Sequence, residues 1–111
     1  MLAVKDKGII LQIIKRCNRV IEKVSNVNET EFSLNDDIKE DVCFNLFQIG
    51  ELANGLSVEF IKEYNKIPWK QIIGMRNRIV HGYDTINFEI VWNTATESIP
   101  ELRSYCEEAL N

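Results

Sequence analysis

Apolar residues recur at helical spacing along almost the whole chain. Ile9, Ile10, Ile13, Ile14, Cys17, Val20, Ile21 and Val24 alternate with lysines and arginines, which predicts one long amphipathic helix. Asn26 and Asn28 mark its end. Ser33 stands three residues before Asp36, an acidic variant of the capping box, and predicts the start of a second helix carrying Ile38, Val42, Phe44, Leu46, Phe47, Ile49, Leu52 and Ala53. Gly55 and Ser57 then punctuate the chain, leaving Val58, Phe60, Ile61 and Tyr64 room for only a short helix before Pro68. Pro68 suits the first turn of a third main helix with Trp69, Ile72, Ile73, Met75, Ile79 and Val80, ending near Gly82. From Asn87 onward Phe88, Val91, Trp92, Ile99, Leu102, Tyr105, Cys106 and Leu110 form a last helical stretch, which Pro100 must interrupt or kink. Strand-like alternation, internal repeats and low-complexity tracts are absent. The expected fold is all-α: an up-and-down bundle of four main helices with an extra short helix, in a single domain over residues 1–111.

Composition narrows the functions open to such a bundle. With 45% apolar and 27% charged residues in 111 positions, the chain can build one core and stay solvated. The stretch from Ile9 to Ile14 is broken by Gln12 and closed by Lys15 and Arg16, so it does not read as an export signal. No segment approaches the roughly 20 apolar residues of a membrane span, and a cytoplasmic location is expected. Cys17, Cys43 and Cys106 are widely spaced and odd in number, which suggests buried thiols instead of a disulfide framework or a metal knuckle. A net charge of -4 argues against a surface that grips nucleic acid as a whole. Any RNA site has to be a local basic patch.

The third main helix carries the candidate chemistry, in the run RNRIVHGY from Arg76 to Tyr83. At roughly 100° per residue, with Ile72 at zero, Ile73, Met75, Ile79 and Val80 span an apolar arc from about 300° to about 100°. Arg76, at about 40°, and Tyr83, at about 20°, fall inside that arc, whereas Asn77 and His81 fall outside it. An unpaired guanidinium on an apolar face costs several kcal/mol. Arg76 therefore either pairs with a carboxylate, Glu51 or Asp41, or faces a second surface where its planar fork of donors takes a phosphate. His81 is the only histidine, hence the only side chain whose ordinary pKa permits proton exchange near neutral pH. Asn77, four residues earlier, is close enough on the helix to orient its ring.

The segments FQIGEL, IPWKQIIGMRNRIVHGY and FEIVW, in this order between Phe44 and Trp92, resemble the HepT group of the HEPN superfamily (the DUF86 family). Its signature is Arg, four residues, His, one residue, Tyr, matched by Arg76, His81 and Tyr83 with Asn77 at the usual polar position. The N-terminal third matches only in being a long amphipathic helix. The resemblance implies a helical HEPN-like homodimer whose two motifs face each other across a cleft. It implies a metal-independent endoribonuclease toxin without cofactor, with Arg76 and His81 catalytic and Asn77 supporting. It further implies a nucleotidyltransferase antitoxin that transfers AMP to Tyr83. Cleavage through the ribose 2′-OH wants a base and an acid. Each chain offers one histidine, so His81 of both subunits is expected in one cleft, with Arg76 stabilising the charge that grows on the phosphate.

Lys66, Lys70 and Arg78 are possible RNA contacts at the rim, although charged helix positions are more often solvated surface. Trp69 and Trp92 fit the apolar pattern and read as core before they read as base-stacking platforms. Gln48 and Glu51 are candidates to line the site, and Asp84 either orients His81 or repels RNA. Two other readings stand beside the ribonuclease: a non-catalytic nucleotide-binding or protein-interaction module, and a structural dimerisation domain in which Arg76 and Tyr83 join a buried polar network.

Overall fold

A computed structural model describes residues 2–111. The elements are α1 (Val4–Ser25), α2 (Glu29–Leu34), α3 (Asp36–Asn54), α4 (Val58–Glu63), α5 (Trp69–Gly82), a 3₁₀ turn (Tyr83–Thr85), α6 (Phe88–Asn93), a π turn (Thr94–Ser98) and α7 (Ile99–Leu110). The fold is all-α, and no strand occurs among the described residues. Helices α1, α3, α5 and α7 are the four long members of the expected bundle. They pack as a row in which α5 lies on α3, α3 on α1 and α1 on α7. No helix among the described residues is long and apolar enough to cross a membrane.

The core follows the apolar periodicity. Ile10, Ile13, Cys17 and Val20 of α1 meet Val42, Leu46, Ile49 and Ala53 of α3 and Ala95, Ile99, Leu102 and Cys106 from the last helical run, all of them buried. Phe32 from α2 is fully buried, with the Trp92 ring 5.2 Å away. Trp69 closes the opposite end, 6.0 Å from Phe60, and its indole N–H donates to the Tyr64 carbonyl at 3.1 Å. Both tryptophans thus serve packing. The three thiols are buried and unpaired. Loss of solvent pushes the Cys43 thiol up to about 11 and that of Cys106 up to about 12, and Cys17 is raised further for the same reason.

Two buried polar side chains tie helices together. Asp6 accepts from the Ser57 backbone N–H at 2.9 Å and from the Ser57 hydroxyl at 2.6 Å, while the same Ser57 Oγ accepts from the Phe60 N–H and caps α4. Asn45 donates to the Asp41 carbonyl and carboxylate, both at 2.9 Å, and accepts from Arg16 at 3.2 Å. Asp41 also pairs with Lys23 at 3.2 Å. That occupies Asp41 and leaves Glu51 for Arg76.

Three details correct or refine the sequence reading. The second main helix does not begin at Ser33. A separate short helix, α2, begins at Asn28, whose side chain accepts from the Glu31 N–H while the Glu31 carboxylate accepts from the Asn28 N–H, a complete capping box. Ser33 lies inside it and donates to Thr30 O, and Asn35 caps α3 through the Ile38 N–H. Pro100 does interrupt the last helical run, as expected, but by a change of helix type and not by ending it. It stands in the first turn of α7, and the helix widens into the π turn just before it, where the missing N–H would have bonded. The hydroxyls of Thr94 and Thr96 donate to Ile90 O and Trp92 O there. Finally, Phe44 and Val80, both on predicted apolar faces, are 52% and 46% exposed. Of α5, only Trp69 and Met75 are buried, so the motif helix is the least covered of the four.

Candidate active site

Arg76 is positioned by a glycine. A Cβ built on Gly50 of α3 would fall inside the van der Waals envelope of Arg76 Cβ and 2.9 Å from its Cγ. Gly50 is therefore what lets α5 approach α3 closely enough to seat the Arg76 stem. The guanidinium then reaches along α3: its Nε donates to Glu51 Oε1 at 2.5 Å, its Nη1 donates to Asn77 Oδ1 at 2.7 Å, and its carbon lies 5.7 Å from the centre of the Phe47 ring. These two bonds leave Nη2 uncommitted to either partner. The pair is not buried, with Arg76 26% and Glu51 43% exposed. Arg76 thus escapes the cost of a buried charge by sitting at the open edge of the α3–α5 contact, next to the exposed Val80. Of the two carboxylates the sequence offered, Glu51 is the one used. Gln48 takes no part in the cluster.

His81 occupies the other edge of α5. It is exposed in the last turn and lines a hollow of about 370 Å³ with Arg78, Gly82, Thr85, Ile86, Asn87 and Ile90. The Asn77 amide oxygen, well placed on the helical wheel to orient the imidazole, accepts from Arg76 instead. Five residues of helix separate Arg76 and His81 by about 7.5 Å along the axis, and they face different neighbours. A single chain does not bring them to one point.

Tyr83 lies in the 3₁₀ turn beyond α5, its ring edge-on to Phe88 at 5.8 Å and 82°. It neither hydrogen-bonds Arg76 nor belongs to the hollow beside His81. Burial is the largest cause of a raised phenol pKa, followed by the negative charges of Cys43, Glu40, Asp36 and Asp84. Asp84 is the smallest of these contributions. Lys70 and Arg78 both line a larger cavity of about 500 Å³ between α5 and the run Ile90–Ile99, whereas Lys66 is an exposed residue away from it. No group of three or more His, Cys, Asp or Glu side chains among the described residues is placed to hold a metal ion.

Sequence reasoning passed over Gly50, Phe47 and the hollow lined by Thr85, Ile86, Asn87 and Ile90. Gly50 had a legible signal, since a glycine within an apolar helical pattern marks a close backbone approach. The hollow had none, because its walls come together only through the turn after Gly82.

Comparison with known proteins bears on this arrangement. No solved structure matches the chain. Putative RNase TTE0752 of Caldanaerobacter subterraneus is 34% identical over 98 residues, 88% of each chain. Putative RNase MJ1380 of Methanocaldococcus jannaschii is 29% identical over 101 residues, 91% of this chain and 93% of the other. Probable ribonuclease HepT of Thermococcus cleftensis is 30% identical over 60 residues, 54% of each. The family described as Ribonuclease HepT-like matches residues 10–109, which include Gly50, Arg76, His81 and Tyr83, and the chain belongs to this HepT-like ribonuclease family.

Proposed function

We propose that this protein is a metal-independent endoribonuclease whose working cleft forms between two copies of the chain. The observation that carries this reading is the division of α5: Arg76 is held by Glu51 and Asn77 on one edge, and His81 opens on a hollow at the other. One chain then supplies one phosphate ligand and one proton-transfer group on separate surfaces. Two chains related by a twofold axis supply a base and an acid in one cleft. The exposed Val80 beside Arg76 and the exposed Phe44 on α3 are the apolar contacts such a partner would cover.

In this mechanism one His81 takes the proton of the ribose 2′-OH. The oxygen attacks the adjacent phosphorus, the bond to the 5′-oxygen breaks, and the second His81 protonates the departing oxygen. Arg76 stabilises the charge that accumulates on the phosphoryl oxygens, an effect worth roughly 10²- to 10³-fold in rate. The protein is further proposed to act in the cytoplasm as the toxin of a pair whose antitoxin is a nucleotidyltransferase. AMP transfer to the Tyr83 oxygen, with pyrophosphate leaving, would place a negative charge and a bulky group at the end of α5 and shut out RNA.

One observation favours a second reading. The Arg76–Glu51 ion pair suits a structural clamp in a non-catalytic interaction module. Incubating the purified protein with RNA in the presence of EDTA, beside His81→Ala and Arg76→Ala, separates the two. The ribonuclease reading expects cleavage by the parent alone. Equal cleavage by all three proteins, or by none, removes it.

A further inference from the structure

The row of helices does not close. Helix α5 is held by α3, and between it and the run Ile90–Ile99 lies the cavity of about 500 Å³, within the range of about 300–1,000 Å³ typical of small-molecule sites. Its floor is apolar, formed by Leu46, Ile49, Ile72, Met75 and Ile99. Its rim carries Lys70 and Arg78, neither of which forms an ion pair with a described residue. The chain contains 17 acidic residues and has a net charge of -4, yet no carboxylate lines this cavity or the neighbouring hollow beside His81. Arg78 and Ile90 line both, so the two spaces adjoin. Gly74 also lines the cavity, and a Cβ there would meet nothing within 4 Å. A glycine inside a helix costs about 1 kcal/mol relative to alanine, and nothing within the chain requires this one. It leaves the α5 backbone bare for a ligand.

A mostly apolar space, with Lys70 and Arg78 at its rim and no carboxylate in its lining, fits an apolar group joined to an anion, such as a base and its phosphate. We propose that this cavity binds a nucleotide unit of the RNA, with the base against Ile72, Met75 and Ile99 and its phosphate between Lys70 and Arg78. The strand then passes over Arg78 to the His81 hollow, so that the base in the cavity neighbours the phosphate to be cut. This inference rests on the ribonuclease reading and adds to it a base-selecting pocket. Apolar walls of this kind hold an unstacked base without Watson–Crick pairing, while Lys70 and Arg78 provide the salt-sensitive part of the affinity.

Met75 reports on the site directly, because Met1 and Met75 are the only methionines and a methyl-labelled sample gives two resolvable signals. The parent protein is titrated with the four ribonucleoside 3′-monophosphates and, separately, with inorganic phosphate. The same titrations are run on Gly74→Leu, which introduces a good helix former into α5 and fills the mouth of the cavity. The proposal expects a saturable Met75 shift with nucleotides, stronger for one or two bases, and none with phosphate alone. It expects at least a tenfold loss of affinity in Gly74→Leu and in Lys70→Ala/Arg78→Ala, with the base preference of RNA cleavage lost in Gly74→Leu. No Met75 shift with any nucleotide, an equal shift with phosphate, or unchanged cleavage preference in Gly74→Leu overturns it. So does dissociation of a dimer by Gly74→Leu, since the occupant is then the second copy. Nucleotide binding without RNA cleavage upholds the pocket and refutes only the ribonuclease reading, while cleavage without nucleotide binding does the reverse.

Discussion

Replacing Gly50 by alanine tests how α3 seats Arg76. The added Cβ would lie 2.9 Å from Arg76 Cγ and nearer still to Cβ, where unstrained carbons sit about 3.5–4.0 Å apart. Both conflicting atoms belong to the stiff base of the side chain, so α5 itself has to shift outward. Overpacking of this kind costs about 1–3 kcal/mol, against about 1 kcal/mol returned by alanine's better helix propensity. The net expectation is a loss of about 0–2 kcal/mol in urea unfolding. Activity should fall much further, since a displacement of about 1 Å at a catalytic group can cost roughly 10²-fold. Gly74→Ala is the matched control on α5: its Cβ meets nothing, so it should stabilise the fold by about 1 kcal/mol, or roughly 4 °C in Tm. The reasoning is refuted if Gly50→Ala behaves like Gly74→Ala, gaining stability with cleavage intact.

Other perturbations probe separate parts of the account. Glu51→Gln removes a part-exposed ion pair, so its stability cost should stay below about 1 kcal/mol, and RNA cleavage should persist with KM unchanged or lowered because the guanidinium is freed; loss of cleavage with a large loss of stability would mark the pair as purely structural. Asp6→Ala removes both bonds to Ser57 and should cost about 2 kcal/mol or more in urea unfolding, with helicity lost first around α4; an unchanged midpoint contradicts the latch. The raised Tyr83 phenol adds nothing below the ordinary value of 10.0, where folded and unfolded states are both protonated. As pH rises past 10.0 the unfolded chain ionises first, so stability should fall until the folded phenol titrates. Ultraviolet titration of Asp36→Asn/Glu40→Gln should show ionisation at lower pH than in the parent, and no change would contradict the assigned charges.

The apolar periodicity carried most of the fold because each long helix buries one continuous stripe. The end of α1 after Ser25 and the end of α5 at Gly82 both fall where Asn26 and Gly82 indicated. The Ser33 reading failed for a local reason: asparagine stops one helix and caps the next equally well, and here Asn26 closes α1 while Asn28, two residues on, caps α2. Pro100 was legible as a disturbance but not as a π turn, which depends on threonine hydroxyls satisfying carbonyls upstream. At the site, the helical wheel correctly set Arg76 apart from His81 and offered Glu51 as a partner. It had no means of distinguishing an arc that faces the core from one that is left open, so Val80 was placed inside and is exposed. The cavity between α5 and the last helical run depends on how two distant segments fail to meet, and no spacing within either segment records that.

The central claim is that one cleft uses His81 from two chains. Mixing parent and His81→Ala subunits in equal amounts, with free exchange into dimers, tests it most directly. If both histidines are required, only parent homodimers cut RNA and the specific activity per total protein falls to about a quarter of the parent value. An activity of about half, as independent subunits would give, contradicts the shared cleft.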